Sequence, residues 1–213
     1  MENFSTSANA EALPVRTDDA DGPRRRMRAD ARDNRERVLR AARAAFAEEG
    51  PHASLNKIAQ RAGVGAGTLY RHFPTLDALL VAIIGADVEV LCERGRRLLD
   101  HPSPGEALTD WLRAVAVHAT AMRGLVATRM AAQTARPSDT RAADGTLAAC
   151  HDAIRTTGEA LLERARRAGE ANDETAIADL LTLVNAAAWA SEQAPEDEHL
   201  LDRLLAVVAR GLR

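Results

Sequence analysis

A chain of 213 residues, 46% hydrophobic but only 3% aromatic, is long enough for a sizeable core in one or two domains. Its apolar residues are mostly Ala, Leu and Val, and no segment shows strand alternation, so an all-α fold is expected. Two cysteines, Cys92 and Cys150, lie far apart without a CxxC and fit a reducing compartment. The longest strongly apolar run, Leu79–Ala86, is too short to span a bilayer, and the acidic, polar N-terminus lacks a signal pattern. A soluble, cytoplasmic protein with no membrane partner follows as the expectation.

The net charge of −3 is unevenly distributed. Residues 1–23 carry five acids and one Arg, residues 24–76 twelve bases and five acids, and residues 77–213 fifteen bases and twenty-one acids. The middle block is therefore +7 between segments of −4 and −6. A basic block in an acidic chain points to a polyanionic partner for that block alone; a solvated charged face is the alternative.

In chain order, residues 1–30 are polar with few large apolar groups and are expected to form a disordered arm ending in the basic run Arg24–Arg28. Helical periodicity begins near Asp33, with Val38, Leu39, Ala42 and Phe46 on one face, and Gly50-Pro51 ends it. Ser54 is placed to cap a second helix carrying Leu55, Ile58, Ala59 and Ala62. Gly63-Val64-Gly65 breaks that helix, a short one follows to Phe73, and Pro74 stops it. Thr75 can cap a long helix with Leu76, Leu79, Leu80, Ile83, Leu91 and Leu98. Ser103 and Glu106 form a capping box, with Pro104 at the first helical position, for a helix to about Ala121. A shorter helix covers Gly124 to Gln133, and "TARPSDTRAADG" reads as a polar linker. Three more helices span about Thr146–Ala168, Thr175–Ser191 and Glu196–Leu212, giving about nine in all.

The stretch "GVGAGTLYRHF" raises the question of a phosphate loop. A P-loop needs a preceding strand and a closing Lys-Ser/Thr; here no strand precedes the glycines and the only lysine, Lys57, lies upstream. Helix, tight Gly-containing turn and short second helix instead make a helix-turn-helix. Gly63 can take the positive φ that ends the first helix. Val64 and Leu69 fit the core, leaving Ala66, Gly67, Thr68, Tyr70, Arg71 and His72 for the outer surface. A recognition helix sends such residues into the major groove. Thr, Tyr and His suit phosphate, and Arg71 is the forked donor suited to guanine.

At "RVLRAARAAFAEEGPHASLNKIAQRAGVGAGTLYRHFPTLDALLVAI", Arg37 to Ile83, the chain resembles the TetR family of bacterial transcriptional regulators. The resemblance implies a three-helix DNA-binding domain at 31–76, a helical ligand-binding and dimerising domain at 77–213, and usually repression of a near-palindromic operator in double-stranded DNA. Asn56, Lys57 and Arg61 match family positions that often touch DNA; Ala66, Gly67, Thr68, Tyr70, Arg71 and His72 match the recognition helix. Two positions depart. Gly65 stands where the family often has Ser, and Leu76 where many members carry a phosphate-binding Lys.

In the larger domain, Trp111, Val115, His118 and Met122 follow one helical face. With Met130, Cys150, Ile154, Asn185 and Trp189 they are the candidate lining of a pocket for an apolar or amphipathic small effector; ordinary core positions are the alternative for each. Wide apolar stripes on the last two helices suggest a homodimer through them, or simply the domain's own core. A small-molecule-binding enzyme with an accessory DNA module is the competing class. However, adjacent Cys150-His151 diverge on a helix, and no HExxH or nucleophile elbow occurs, so neither catalysis, metal nor cofactor is expected.

Overall fold

The computed structural model describes the backbone of residues 22–135 and 141–212. Side chains are described from 30 to 125, Pro51 excepted, and from 144 to 212. Among these residues the chain has no strand and eight α-helices. They are α1 (Gly22–Glu49), α2 (Leu55–Ala62), α3 (Ala66–His72), α4 (Leu76–Leu98), α5 (Pro104–Ala135), α6 (Arg141–Arg167), α7 (Ile177–Glu192) and α8 (Leu200–Gly211), with a 3-10 turn at Gly50–His52.

The first helix starts eleven residues ahead of Asp33, so residues 22–30 are helical rather than part of a disordered arm. The reason lies in their composition: Arg, Met and Ala are good helix formers, and Pro23 suits a first turn. Residues 1–21 lie outside the described residues. Gly63 ends α2 at φ 64°, where its N–H bonds Gln60 O and the N–H of Val64 bonds Ala59 O, at 3.1 and 3.0 Å. This pair of bonds is a Schellman closure, which favours a residue without Cβ. Ser54 holds the N-cap position of α2 in extended conformation, but its side chain makes no capping bond. The Thr75 hydroxyl does cap α4, accepting from the Ala78 N–H at 3.0 Å.

The expected break near Gly124 is absent, and α5 runs through it, which reduces nine helices to eight. One glycine costs a helix only about 1 kcal/mol relative to Ala, and no proline follows until residue 137. The amide of Gly105 in the first turn of α5 donates to Glu170 at 2.6 Å, so a distant carboxylate caps this helix. α6 begins at Arg141, inside the expected linker, because Ala142 and Ala143 extend it and Asp144 suits its N-terminus. Residues 136–140 of that linker lie outside the described residues. α7 starts at Ile177, two residues late, because Thr175 is held in a turn by the Asn172 amide oxygen. α8 starts at Leu200; the acidic turn before it is pinned by Arg203 donating to both Asp197 oxygens at 2.9 and 2.5 Å.

Three apolar clusters result. One joins α1, α2 and α3 to the first turns of α4 through Val38, Phe46, Ile58, Leu69, Leu79 and Ile83. The second is the body core, with Leu91, Trp111, Leu161, Ile177, Val184 and Leu205 among its members. A small third cluster, Ile84, Val88, Cys92 and Met122, lies between them. Leu125 of α5 packs against both the first and the third.

Trp111 is completely buried, and its indole N–H donates to Leu91 O at 3.2 Å. Two glycines make room for it. A Cβ on Gly95 would stand 2.2 Å from Thr157 Cγ2 and 2.8 Å from the indole nitrogen; one on Gly158 would stand 2.8 Å from Ile177 and from the indole ring. Gly95→Ala should therefore destabilise the fold by about 2 kcal/mol through overpacking. Urea denaturation should show a lower midpoint at unchanged slope, and an unshifted midpoint would contradict this packing.

Candidate nucleic-acid interface

The helix-turn-helix is built by burial on one side and exposure on the other. α2 buries Ile58, Ala59 and Ala62 and exposes Asn56, Lys57, Gln60 and Arg61. α3 has seven residues, and only Leu69 is buried; Phe73 follows it inward and Val64 precedes it half-buried. These three anchors leave Ala66, Gly67, Thr68, Tyr70, Arg71 and His72 exposed. All nine residues expected to face DNA thus lie at the surface of α2 and α3.

The start of α3 is bare. A Cβ on Gly67 would meet nothing within 4 Å, and one on Gly65 only the Thr68 hydroxyl at 3.8 Å. Gly65 caps the helix with its carbonyl alone, taking the amides of Thr68 and Leu69 at 2.9 and 3.1 Å. Leu76 does not reach outward like a phosphate-binding cation; it is half-buried against the cluster beneath α3.

Glu48 and Glu49, at the end of α1, complete the surface. Arg61 donates through both guanidinium nitrogens to the two Glu48 oxygens, each at 2.7 Å, and Lys57 Nζ lies 3.2 Å from Glu49. The hydrogen bond from Arg61 holds the Glu48 carboxyl below the usual carboxylate range, and the same bond raises Arg61. The available signal was two acids in the last turn of a helix, where the macrodipole disfavours them.

The candidate pocket residues fall into three places. Trp111 and Val115 are in the body core. Met122, Cys150 and Ile154 meet around the small third cluster with Cys92, and His118 lies half-buried one turn before Met122. Asn185 and Trp189 are on the solvent side of α7, with Asn185 donating to Leu181 O at 2.8 Å and Trp189 57% exposed. The side chain of Met130 lies outside the described residues. Both cysteines are free; burial, and after it the neighbouring Cys92, pushes the Cys150 thiol up. Among the described residues no three His, Cys, Asp or Glu side chains gather as a metal site, and no helix is long and apolar enough to cross a membrane.

An exposed helix-turn-helix carried on a helical body defines a DNA-binding regulator class. Comparison with known proteins narrows it. Residues 38–83 match the bacterial regulatory proteins of the tetR family, and residues 103–213 match the SbtR-like transcriptional regulator C-terminal domain. A TetR transcriptional regulator from Streptomyces coelicolor is 34% identical and aligns over 84% of this chain and 98% of its own, with a TM-score of 0.68. A TetR regulatory protein from Mycobacterium vanbaalenii is 35% identical over 88% of this chain and 99% of its own, with a TM-score of 0.66. An HTH-type transcriptional regulator of Staphylococcus aureus is 39% identical over 75 residues, which is 35% of this chain and 40% of that relative's length. The chain belongs to the TetR family of bacterial transcriptional regulators.

His118 links this architecture to pH. Burial lowers its pKa, and the nearby Asp87 carboxylate opposes that shift. A histidine depressed in the folded state binds fewer protons than in the unfolded chain, so its contribution is present above about pH 6.5 and is lost on acidification. His118→Gln should therefore lose less stability between about pH 7 and pH 5 than the parent chain, by urea midpoints. Equal losses would remove His118 from the account.

Proposed function

We propose that the protein is a homodimeric operator-binding repressor, with its DNA-binding unit at 31–76 and a ligand-binding, dimerising body at 77–213. The observation that carries the DNA reading is that Asn56, Lys57 and Arg61 of α2 and Ala66, Gly67, Thr68, Tyr70, Arg71 and His72 of α3 are all exposed. Its composition divides the work. Tyr70, Thr68 and His72 suit phosphate, whereas Arg71 offers a fork to guanine O6 and N7.

A recognition helix of seven residues reads few bases, so a near-palindrome read by two copies is the economical solution. Support for pairing comes from α7 and α8, where Leu183, Trp189 and Val207 are all more than half exposed. Half-sites in such an arrangement lie roughly 34–36 Å apart. An apolar or amphipathic small molecule lodged near Met122, Cys150 and Ile154 would bear on α4, the helix that leads out of the DNA-binding unit. Release of DNA then requires only that the effector prefer the conformation with the wrong spacing.

The direct test is a footprint on the DNA around the protein's own coding region, at stated salt. A protected near-palindrome supports the reading, and sequence-blind, salt-labile binding opposes it. On selected sites Arg71→Ala should weaken binding roughly tenfold and relax base preference at one position, whereas Tyr70→Phe should weaken all sequences alike. Unchanged preference in a binding-site selection would rule out base reading by Arg71. Pairing Leu183→Glu with Trp189→Glu should give monomers in sedimentation with native helicity; a persisting dimer would place the interface elsewhere.

A further inference from the structure

We propose that Glu48 and Glu49, at the end of α1, compete with DNA phosphate for Arg61 and Lys57 and thereby hold down the protein's affinity for DNA. This rests on the reading above that Arg61 and Lys57 face DNA.

Four observations converge. Both acids occupy the last turn of α1, which carries no base of its own, so the helix macrodipole works against them where they stand. Each finds its partner on α2, and those partners, Lys57 and Arg61, are one turn apart on its exposed face. The Arg61–Glu48 contact is bidentate, the same fork geometry with which a guanidinium takes a phosphate. All four side chains are solvent-accessible, from 30% for Glu49 to 68% for Lys57.

Exposed ion pairs are weak and salt-screened, so phosphate can displace the carboxylates. The displaced carboxylates remain beside the phosphates and repel them. Each cation therefore gives DNA less than a free one would. The α1–α2 packing does not need these pairs, since Val38, Ala42, Phe46, Ile58 and Ala59 hold the two helices together in a buried cluster. The basic block 24–76 is +7 with these two acids counted and would be +9 without them, so the acids trim its sequence-blind attraction to any duplex.

The test uses the full-length chain and a labelled random-sequence duplex, with Kd read by fluorescence anisotropy from about 50 to about 200 mM salt. Glu48→Gln should bind roughly fivefold tighter at the middle of that range, and its log–log salt slope should steepen by about one phosphate's worth. In an Arg61→Gln background the same substitution should yield less than half that gain, because the released cation is gone. Glu48→Gln with unchanged or weaker binding, beside a weakened Arg61→Gln, would overturn the proposal and leave Glu48 a brace between α1 and α2. Arg61→Gln that binds as well as the parent would overturn the placement of Arg61 at DNA, and the proposal with it. Thermal melts of each variant separate these outcomes from misfolding.

Discussion

The structure depends on α4, one unbroken helix whose successive turns belong to three different apolar clusters. Leu79, Leu80 and Ile83 close the DNA-binding unit; Ile84, Val88 and Cys92 form the small middle cluster; Leu91 enters the body core. The Leu91 carbonyl also takes the Trp111 indole N–H, which ties α4 to α5 by a buried hydrogen bond. Arg43 of α1 bonds Asp87, half-way along the same helix, so α1 is tied to α4 by charge as well as by packing. Packed interiors do not deform continuously. A displacement of α4 by the body would therefore reach α3 through the cluster that both share with α1 and α2.

The candidate DNA-facing surface shows how little apolar material is needed to aim a short helix. α3 is held by Leu69 alone within its length, flanked by Val64 and Phe73. Everything else on it is free to face outward. The two glycines at its start keep the surface low, and the Schellman closure at Gly63 sets the angle at which the helix leaves α2. The cations beside it belong to α2, and their charge is already shared with α1. The candidate interface is thus a balance of bare backbone, one long forked donor and partly neutralised bases, rather than a uniformly basic patch.

The helix-turn-helix was legible in the sequence because its signals are local: apolar spacing at Ile58, Ala59 and Ala62, Gly63 for a left-handed closure, Pro74 as a stop. Thr75 caps its helix as its position implies, whereas Ser54 sits at the N-cap without a side-chain capping bond. Failures came where tertiary context decides. Gly124 looked like a boundary, but an isolated glycine is too cheap to break a helix of good formers. The cap of α5 comes from Glu170, sixty-five residues away, and nothing in the local pattern names it. Helical spacing put Trp111 on the same list as Trp189, yet one is fully buried and the other mostly exposed. Spacing reports a face of a helix; it does not report what that face meets. The partners of Glu48 and Glu49 likewise lie on α2, which spacing along α1 does not report.

α7 brings these threads together. Its inner side, Ile177, Leu180, Val184 and Ala188, is in the same body core as Leu91 and Trp111. Its outer side displays Leu183 and Trp189 to solvent. Those two large side chains stand among the exposed Asp179, Thr182 and Asn185, and a second surface laid over them would remove their apolar area from water. In the proposed dimer that second surface is another copy of α7 and α8. The distance between the two recognition helices would then be set through a short chain of packed parts: α7 against its twin, α7 against Trp111, Trp111 against α4, and α4 against the cluster that also holds α1, α2 and α3. Every link in that chain but the first lies within one protomer. A ligand that shifts α4 against Trp111 would therefore change the separation of the recognition helices without touching either the DNA surface or the dimer surface.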